Sequence, residues 1–191
     1  MPDPPRPGAA NMARDLALLD LAERSGRAFL RLYRWEPFCL SFGRHEPALR
    51  RYDRERIEAL GLSCVRRPTG GRAVWHAREL TYAVAAPLAA FGGRREAYRG
   101  IHEMLARALA AFGLRASLAP GGRGAARVDA GACFAVPAGG EVMVNGLKVV
   151  GSAQLQQGSA FLQHGSLLLQ DTQAMVARRS EERRVGKECR L

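Results

Sequence analysis

Two side chains and one turn in this chain could do chemistry together. Before position 179, Lys148 is the only lysine among 23 arginines. A primary amine is a compact charge that can move a proton or polarise a carbonyl, whereas a guanidinium stays charged and planar. Fifteen residues upstream lies Cys133, whose thiol becomes a nucleophile where a nearby cation favours the thiolate. The run Arg66-Arg67-Pro68-Thr69-Gly70-Gly71-Arg72 sets two adjacent glycines among arginines. Such glycines permit positive φ, and successive N–H groups can then form a nest for an anion. A surviving lysine, a half-buried structural cysteine and an ordinary surface turn would leave the same letters. The spacing alone leaves both readings open.

The elements that must position these residues follow from periodicity and punctuation. Asn11 can cap a helix with Met12, Leu16, Leu19 and Ala22 on one face, and Tyr98 to Phe112 repeats at helical spacing up to Gly113. Arg50 to Leu60 reads as a short charged helix stopped by Gly61. Strands are expected at Ala28–Trp35, Phe38–Phe42, Leu62–Val65, Ala73–Trp75, Leu80–Ala86 and Phe161–Leu169. The sharpest local signal is Glu141-Val-Met-Val-Asn145-Gly146-Leu-Lys-Val-Val150. Asn-Gly between β-rich runs specifies a type I′ hairpin. Val144 then opposes Leu147, Met143 opposes Lys148, and Lys148 shares a face with Glu141 and Val150. Strands and helices mix without a βαβ rhythm, so the expected fold is α+β: a mixed, largely antiparallel sheet flanked by helices.

Composition narrows the class. The chain has 191 residues, a formal charge of +11 and 47% hydrophobic residues. That suits one domain with a real core, and no apolar run approaches the ~20 residues of a membrane span. The first ten residues hold four prolines and no apolar stretch, which predicts a disordered lead-in over 1–10 and a cytoplasmic protein. Cys39 and Cys64 sit in apolar runs and are expected to be buried; neither cysteines nor histidines have metal-ligand spacing. His76 and His164, each at a strand, are candidates to line a pocket. The positive charge suits nucleic acid or an acidic protein, but no nucleic-acid motif is present, so no nucleic-acid partner is expected.

Four ordered segments resemble one family: Arg66 to His76, Glu79-Leu-Thr-Tyr82, Gly146-Leu-Lys-Val-Val-Gly-Ser-Ala-Gln154, and Gln163-His-Gly-Ser166. They are similar to the lipoate–protein ligases and octanoyltransferases, whose catalytic domain is shared with biotin–protein ligases. The resemblance implies that fold from about Asn11 to Leu169. It also implies an acyl pocket built from Arg67, Thr69, Gly70, Gly71, Arg72, His76, Gly151, Ser152, Ala153, His164 and Gly165. Ala132-Cys133-Phe134 resembles the cysteine-dependent octanoyltransferases, in which that cysteine is acylated. Cys133 and Lys148 are then the expected catalytic pair, meeting in one cleft. The implied reaction moves an octanoyl group from acyl carrier protein, through a Cys133 thioester, to a lysine of a lipoyl domain of 2-oxoacid dehydrogenases or of the glycine cleavage H protein. It needs no cofactor. An ATP-dependent lipoate ligase working through lipoyl-AMP, with ATP and Mg, is the alternative; a non-catalytic basic binding module is a further one. Leu147, Ala135 and Leu155-Gln156-Gln157 depart from the family's usual pattern.

Arg179 to Arg190 resembles the conceptual translation of a sequencing adapter. The expected organisation is therefore a lead-in over 1–10, a catalytic domain over 11–178 shortened at its C-terminus, and an adapter-derived tail over 179–191.

Overall fold

The computed structural model describes residues 3–48, 52–120, 139–170 and residue 172. Its elements in chain order are α1 (Gly8–Ser25), β1 (Phe29–Tyr33), β2 (Cys39–Phe42), α2 (Arg54–Ala59), β3 (Ser63–Arg66), β4 (Val74–His76) and β5 (Glu79–Pro87). After a 3₁₀ turn come α3 (Arg94–Ala111), β6 (Ala116–Leu118), β7 (Val142–Val144), β8 (Leu147–Lys148), β9 (Val150–Gln157) and β10 (Ala160–Leu168). The α+β class and the antiparallel bias hold. The strands form three sheets: β1-β5-β10-β9, β3-β2-β4 and β6-β7-β8. Among the described strands, only β2 and β3 pair in parallel.

The four-stranded sheet is the frame. Its two central strands, β5 and β10, are nine residues long and buried over most of their length. Both faces are covered, so the polar side chains in the middle of β10, Gln163, His164 and Ser166, are buried along with the apolar ones. Ala83, Ala85 and Leu162 face α1 with Met12, Leu19 and Ala22. Tyr82, Val84, Ala86 and Phe161 face α3, where they meet Ala97 and Ile101. Parity along each strand therefore assigns every central side chain to the α1 face or the α3 face.

The structure corrects the expected start of α1. The helix begins at Gly8, with Pro7 ahead of it, and Asn11 lies inside it. The Asn11 amide donates to the carbonyls of Arg6 and Arg34, tying helix to strand instead of capping. Residues 3–7, expected to be structureless, run beside β1: the Asp3 N–H donates to the Leu32 carbonyl and Asp3 accepts from Arg31 at 2.9 Å. The buried stripe of α1 is Met12-Asp15-Leu19-Ala22, while Leu16 is exposed. The short helix α2 is capped by the Asp53 carboxylate, which accepts from the Arg56 N–H. Cys39 is buried as expected, but Cys64 is exposed because β3 is an edge strand.

The hairpin forms in the expected register, with Met143 opposite Lys148 and Val144 opposite Leu147. Asn145 and Gly146 have φ of 50° and 79°, as a type I′ turn requires. The chain then continues into β9, a long strand that the Gly-Ser-Ala-Gln composition of residues 151–154 did not announce. Tertiary pairing with β10 overrides that weak propensity.

Candidate functional site

A cavity of about 50 Å³ lies where the glycine turn, β9 and β10 meet. It is lined by nine of the eleven expected pocket residues: Arg67, Gly70, Gly71, His76, Gly151, Ser152, Ala153, His164 and Gly165. One enclosed water needs roughly 10–15 Å³ on the same measure, so the space can admit part of a small ligand. Thr69 stands behind the wall and bonds to His164. Arg72 contributes its carbonyl to Arg67 and does not line the cavity. Sequence reasoning missed Met12, Tyr33, Trp35, Val74, Thr81 and Ser166, which complete the lining.

Glycine at three positions is a steric requirement. A Cβ on Gly165 would come within 2.5 Å of the Ser152 hydroxyl, 2.6 Å of the Gly151 carbonyl and 2.8 Å of the Tyr82 ring. A Cβ on Gly43 would meet the carbonyl oxygen of Gly71, which itself has φ of 98°. The glycine turn is therefore pressed against the end of β2. Its arginines serve the turn rather than an outside anion. Arg66 donates to the carbonyls of Gly43, Arg44 and Glu46. Arg67, buried, donates to the Ser41 carbonyl and hydroxyl and to the carbonyls of Gly70 and Arg72. This corrects the expected anion nest: two of its three cations are engaged with carbonyls of the turn and of the segment beside it.

On the α1 face, charge holds the cavity wall. Asp15, wholly buried, accepts from Arg31 at 2.7 Å, from the Tyr33 hydroxyl at 2.8 Å and from His164 Nδ1 at 2.9 Å. His164 Nε2 meets the Thr69 hydroxyl at 2.6 Å, so one carboxylate on α1 fixes the strand histidine and, through it, the glycine turn. Burial raises the Tyr33 phenol well above its usual range, and the Asp15 charge adds to that. The signal for Asp15 was present in the sequence: an acid on the apolar stripe of a helix, which needs a buried partner.

His76 is stacked on Trp35 at 3.9 Å. Its tautomer follows from its neighbours. Arg67 can only donate, so the Ser41 hydroxyl accepts from it and gives its own proton to His76 Nε2. His76 Nδ1–H then donates to Glu79 at 2.6 Å. The same Glu79 oxygen accepts from Thr81 and Ser166. Burial depresses the His76 pKa, against the pull of Glu79.

Lys148 lies on β8 with its ammonium 2.7 Å from the Glu141 carboxylate, both side chains buried. That is the face expected from the hairpin register. Lys148 does not itself line the cavity; the strand it precedes does, through Gly151 to Ala153. Cys133, the expected nucleophile, lies outside the described residues, so its distance to Lys148 is not part of this geometry.

The sequence matches the lipoyl protein ligase A/B catalytic domain family over residues 7–185. Octanoyltransferase LipM of Kyrpidia tusciae is 44% identical over 158 residues, covering 78% of this chain and 57% of the relative. That of Symbiobacterium thermophilum is 40% identical over 159 residues, covering 80% of this chain and 58% of the relative. The chain thus spans less than three fifths of the length of these relatives. Among solved structures, lipoate-protein ligase A bound with ATP superposes with a TM-score of 0.77 at 22% identity, over 95% of this chain and 70% of that one. Plasmodium falciparum LipL1 in complex with lipoate gives 0.66 at 18%, over 94% and 52%. At such identities these two likenesses speak to the fold. No described helix is long and apolar enough to cross a membrane.

Proposed function

Because the chain belongs to the lipoyl protein ligase A/B catalytic domain family, we propose that it is the core of a protein N-octanoyltransferase acting in the cytoplasm. The Cys133 thiolate attacks the octanoyl thioester of acyl carrier protein; a new C–S bond forms and the carrier thiol leaves with a proton. The amine of a lipoyl-domain lysine then attacks the acyl-cysteine, forming an amide and returning the Cys133 thiol. No nucleotide enters either step. The Lys148 ammonium, held by Glu141, favours the thiolate and stabilises negative charge on the carbonyl oxygen as each tetrahedral intermediate forms.

The observation that carries this reading is the cavity wall. Gly70, Gly71, Gly151 and Gly165 bring bare backbone to it, and Met12, Tyr33, Trp35 and Val74 bring apolar and aromatic side chains. A lining of glycine backbone and apolar side chains suits an acyl chain. The octanoyltransferase relatives narrow that chain to octanoyl. Acyl carrier protein and lipoyl domains are the expected partners, and the excess of basic over acidic residues, which remains when the adapter-like tail is set aside, suits acidic ones.

The test uses the full chain with octanoyl-acyl carrier protein. Intact-mass analysis finds one octanoyl adduct, mapped by digestion to Cys133 and absent from Cys133→Ala. A chain that keeps its activity in Cys133→Ala and exchanges pyrophosphate into ATP is a ligase, and the transferase reading is then wrong.

A further inference from the structure

The α3 face of the sheet carries a second buried polar chain that the proposed acyl transfer does not use directly. His102 projects from α3, wholly buried. Its Nδ1 is 2.7 Å from the Gly140 carbonyl, which can only accept, so Nδ1 carries the proton. Burial depresses the ring's pKa, outweighing the Gly140 carbonyl and Glu141, while Lys148 pushes it down further. The neutral ring then offers Nε2 as an acceptor, and the Ser152 hydroxyl, 2.8 Å away, must donate to it. With its proton committed, Ser152 accepts from the Tyr82 hydroxyl at 2.6 Å. Tyr82 in turn accepts from the Gln163 amide at 3.0 Å, and Gln163 accepts from Gln154 at 2.8 Å. Every donor points the same way, from Gln154 through Tyr82 and Ser152 to His102 and Gly140. No member can reverse without leaving a buried group unpaired.

The two ends of the imidazole grip two parts of the site. Nε2 holds β9 at Ser152, in the middle of the Gly151–Ala153 stretch that forms one wall of the cavity. Nδ1 holds Gly140, the residue before Glu141, whose carboxylate holds the Lys148 ammonium. We propose that His102 is a positioning residue that couples the acyl-pocket wall at Ser152 to the segment carrying the Glu141–Lys148 pair. The inference rests on the acyl-transfer reading and assigns that site a support 46 residues upstream of Lys148 in sequence.

The two grips can be separated. His102→Asn keeps a donor near the Nδ1 position and with it the Gly140 tether, but loses the Ser152 contact. His102→Gln places an amide oxygen near the Nε2 position and keeps Ser152, but loses the tether. In full-length chain turning over octanoyl-acyl carrier protein, the Asn variant raises KM for the donor about 10-fold and holds kcat within about 3-fold. The Gln variant lowers kcat about 10-fold and holds KM. Octanoate binding, measured by calorimetry, weakens in Asn and not in Gln. If both variants change kcat and KM together, in step with a loss of thermal stability, His102 is only a packing residue and the proposal is wrong. It is equally wrong if neither variant changes either constant. Wild-type chain that forms no octanoyl adduct overturns the transferase reading instead, and the calorimetric contrast between Asn and Gln then decides the pocket-wall grip by itself.

Discussion

The two faces of the central sheet hold the same cavity by different physics. On the α1 face, Asp15 and Arg31 form a buried ion pair around which Tyr33, His164 and Thr69 are arranged. On the α3 face, Tyr82, Gln163, Ser152 and His102 are joined by neutral hydrogen bonds. A buried charge that loses its partner is costly to leave alone, whereas a neutral bond is worth about 1 kcal/mol net. The α1 face should therefore behave as the rigid side of the pocket, and the α3 face as the side where substitutions tune geometry without unfolding the domain.

Asp15→Ala is the strongest way to break this contrast. It strands Arg31 in the interior and removes the anchor of His164, and the expected loss is about 3–5 kcal/mol of unfolding free energy in a urea titration. A loss below 1 kcal/mol would mean that the ion pair is not the support described. Gly165→Ala comes next, because its methyl group enters the space of Ser152, Gly151 and Tyr82. It should cost about 1–3 kcal/mol, and the calorimetric affinity for octanoate should fall with it as β9 is pushed outward. Tyr82→Phe removes the donor to Ser152 and the acceptor of the Gln163 amide while keeping the ring, and should cost about 1–3 kcal/mol with the fold intact. A larger loss would make the α3 chain as indispensable as the α1 cluster.

The smallest effect is a pH dependence with one histidine on each side. The pKa values of His76 and His102 are both depressed, by burial first. The unfolded chain therefore takes up protons near the ordinary histidine value of about 6.5, while the folded rings stay neutral. Stability is fully present above that value and declines as pH falls through it toward the folded values. Urea midpoints at pH 7.5 and 5.5 should differ in that direction, and the difference should shrink in His76→Gln and in His102→Gln separately. A midpoint that rises on acidification would show that neither ring is buried neutral.

Some of this was legible in the letters. Asn145-Gly146 sets its own turn because both residues tolerate positive φ, and that turn set the register that puts Lys148 with Glu141. The ordered motifs located nine lining residues, because a glycine that must leave room for a close approach is visible as a glycine. Other features were not legible. Arg66 and Arg67 looked like an anion site because a sequence shows charge and hides which carbonyls consume it. Asn11 looked like a cap because the chain's return past Arg34 is invisible locally.

Local chemistry in the chain thus determined the hairpin, the helices and the Gly70-Gly71 turn, since each depends on neighbours within a few residues. Only the tertiary structure decided which polar groups meet. Asp15 and His164 are 149 residues apart, and His102 and Ser152 are 50 apart. Those meetings follow from how β5 and β10 are paired and from which helix covers each face. A shift of one residue in that pairing would exchange the two faces and dissolve both networks.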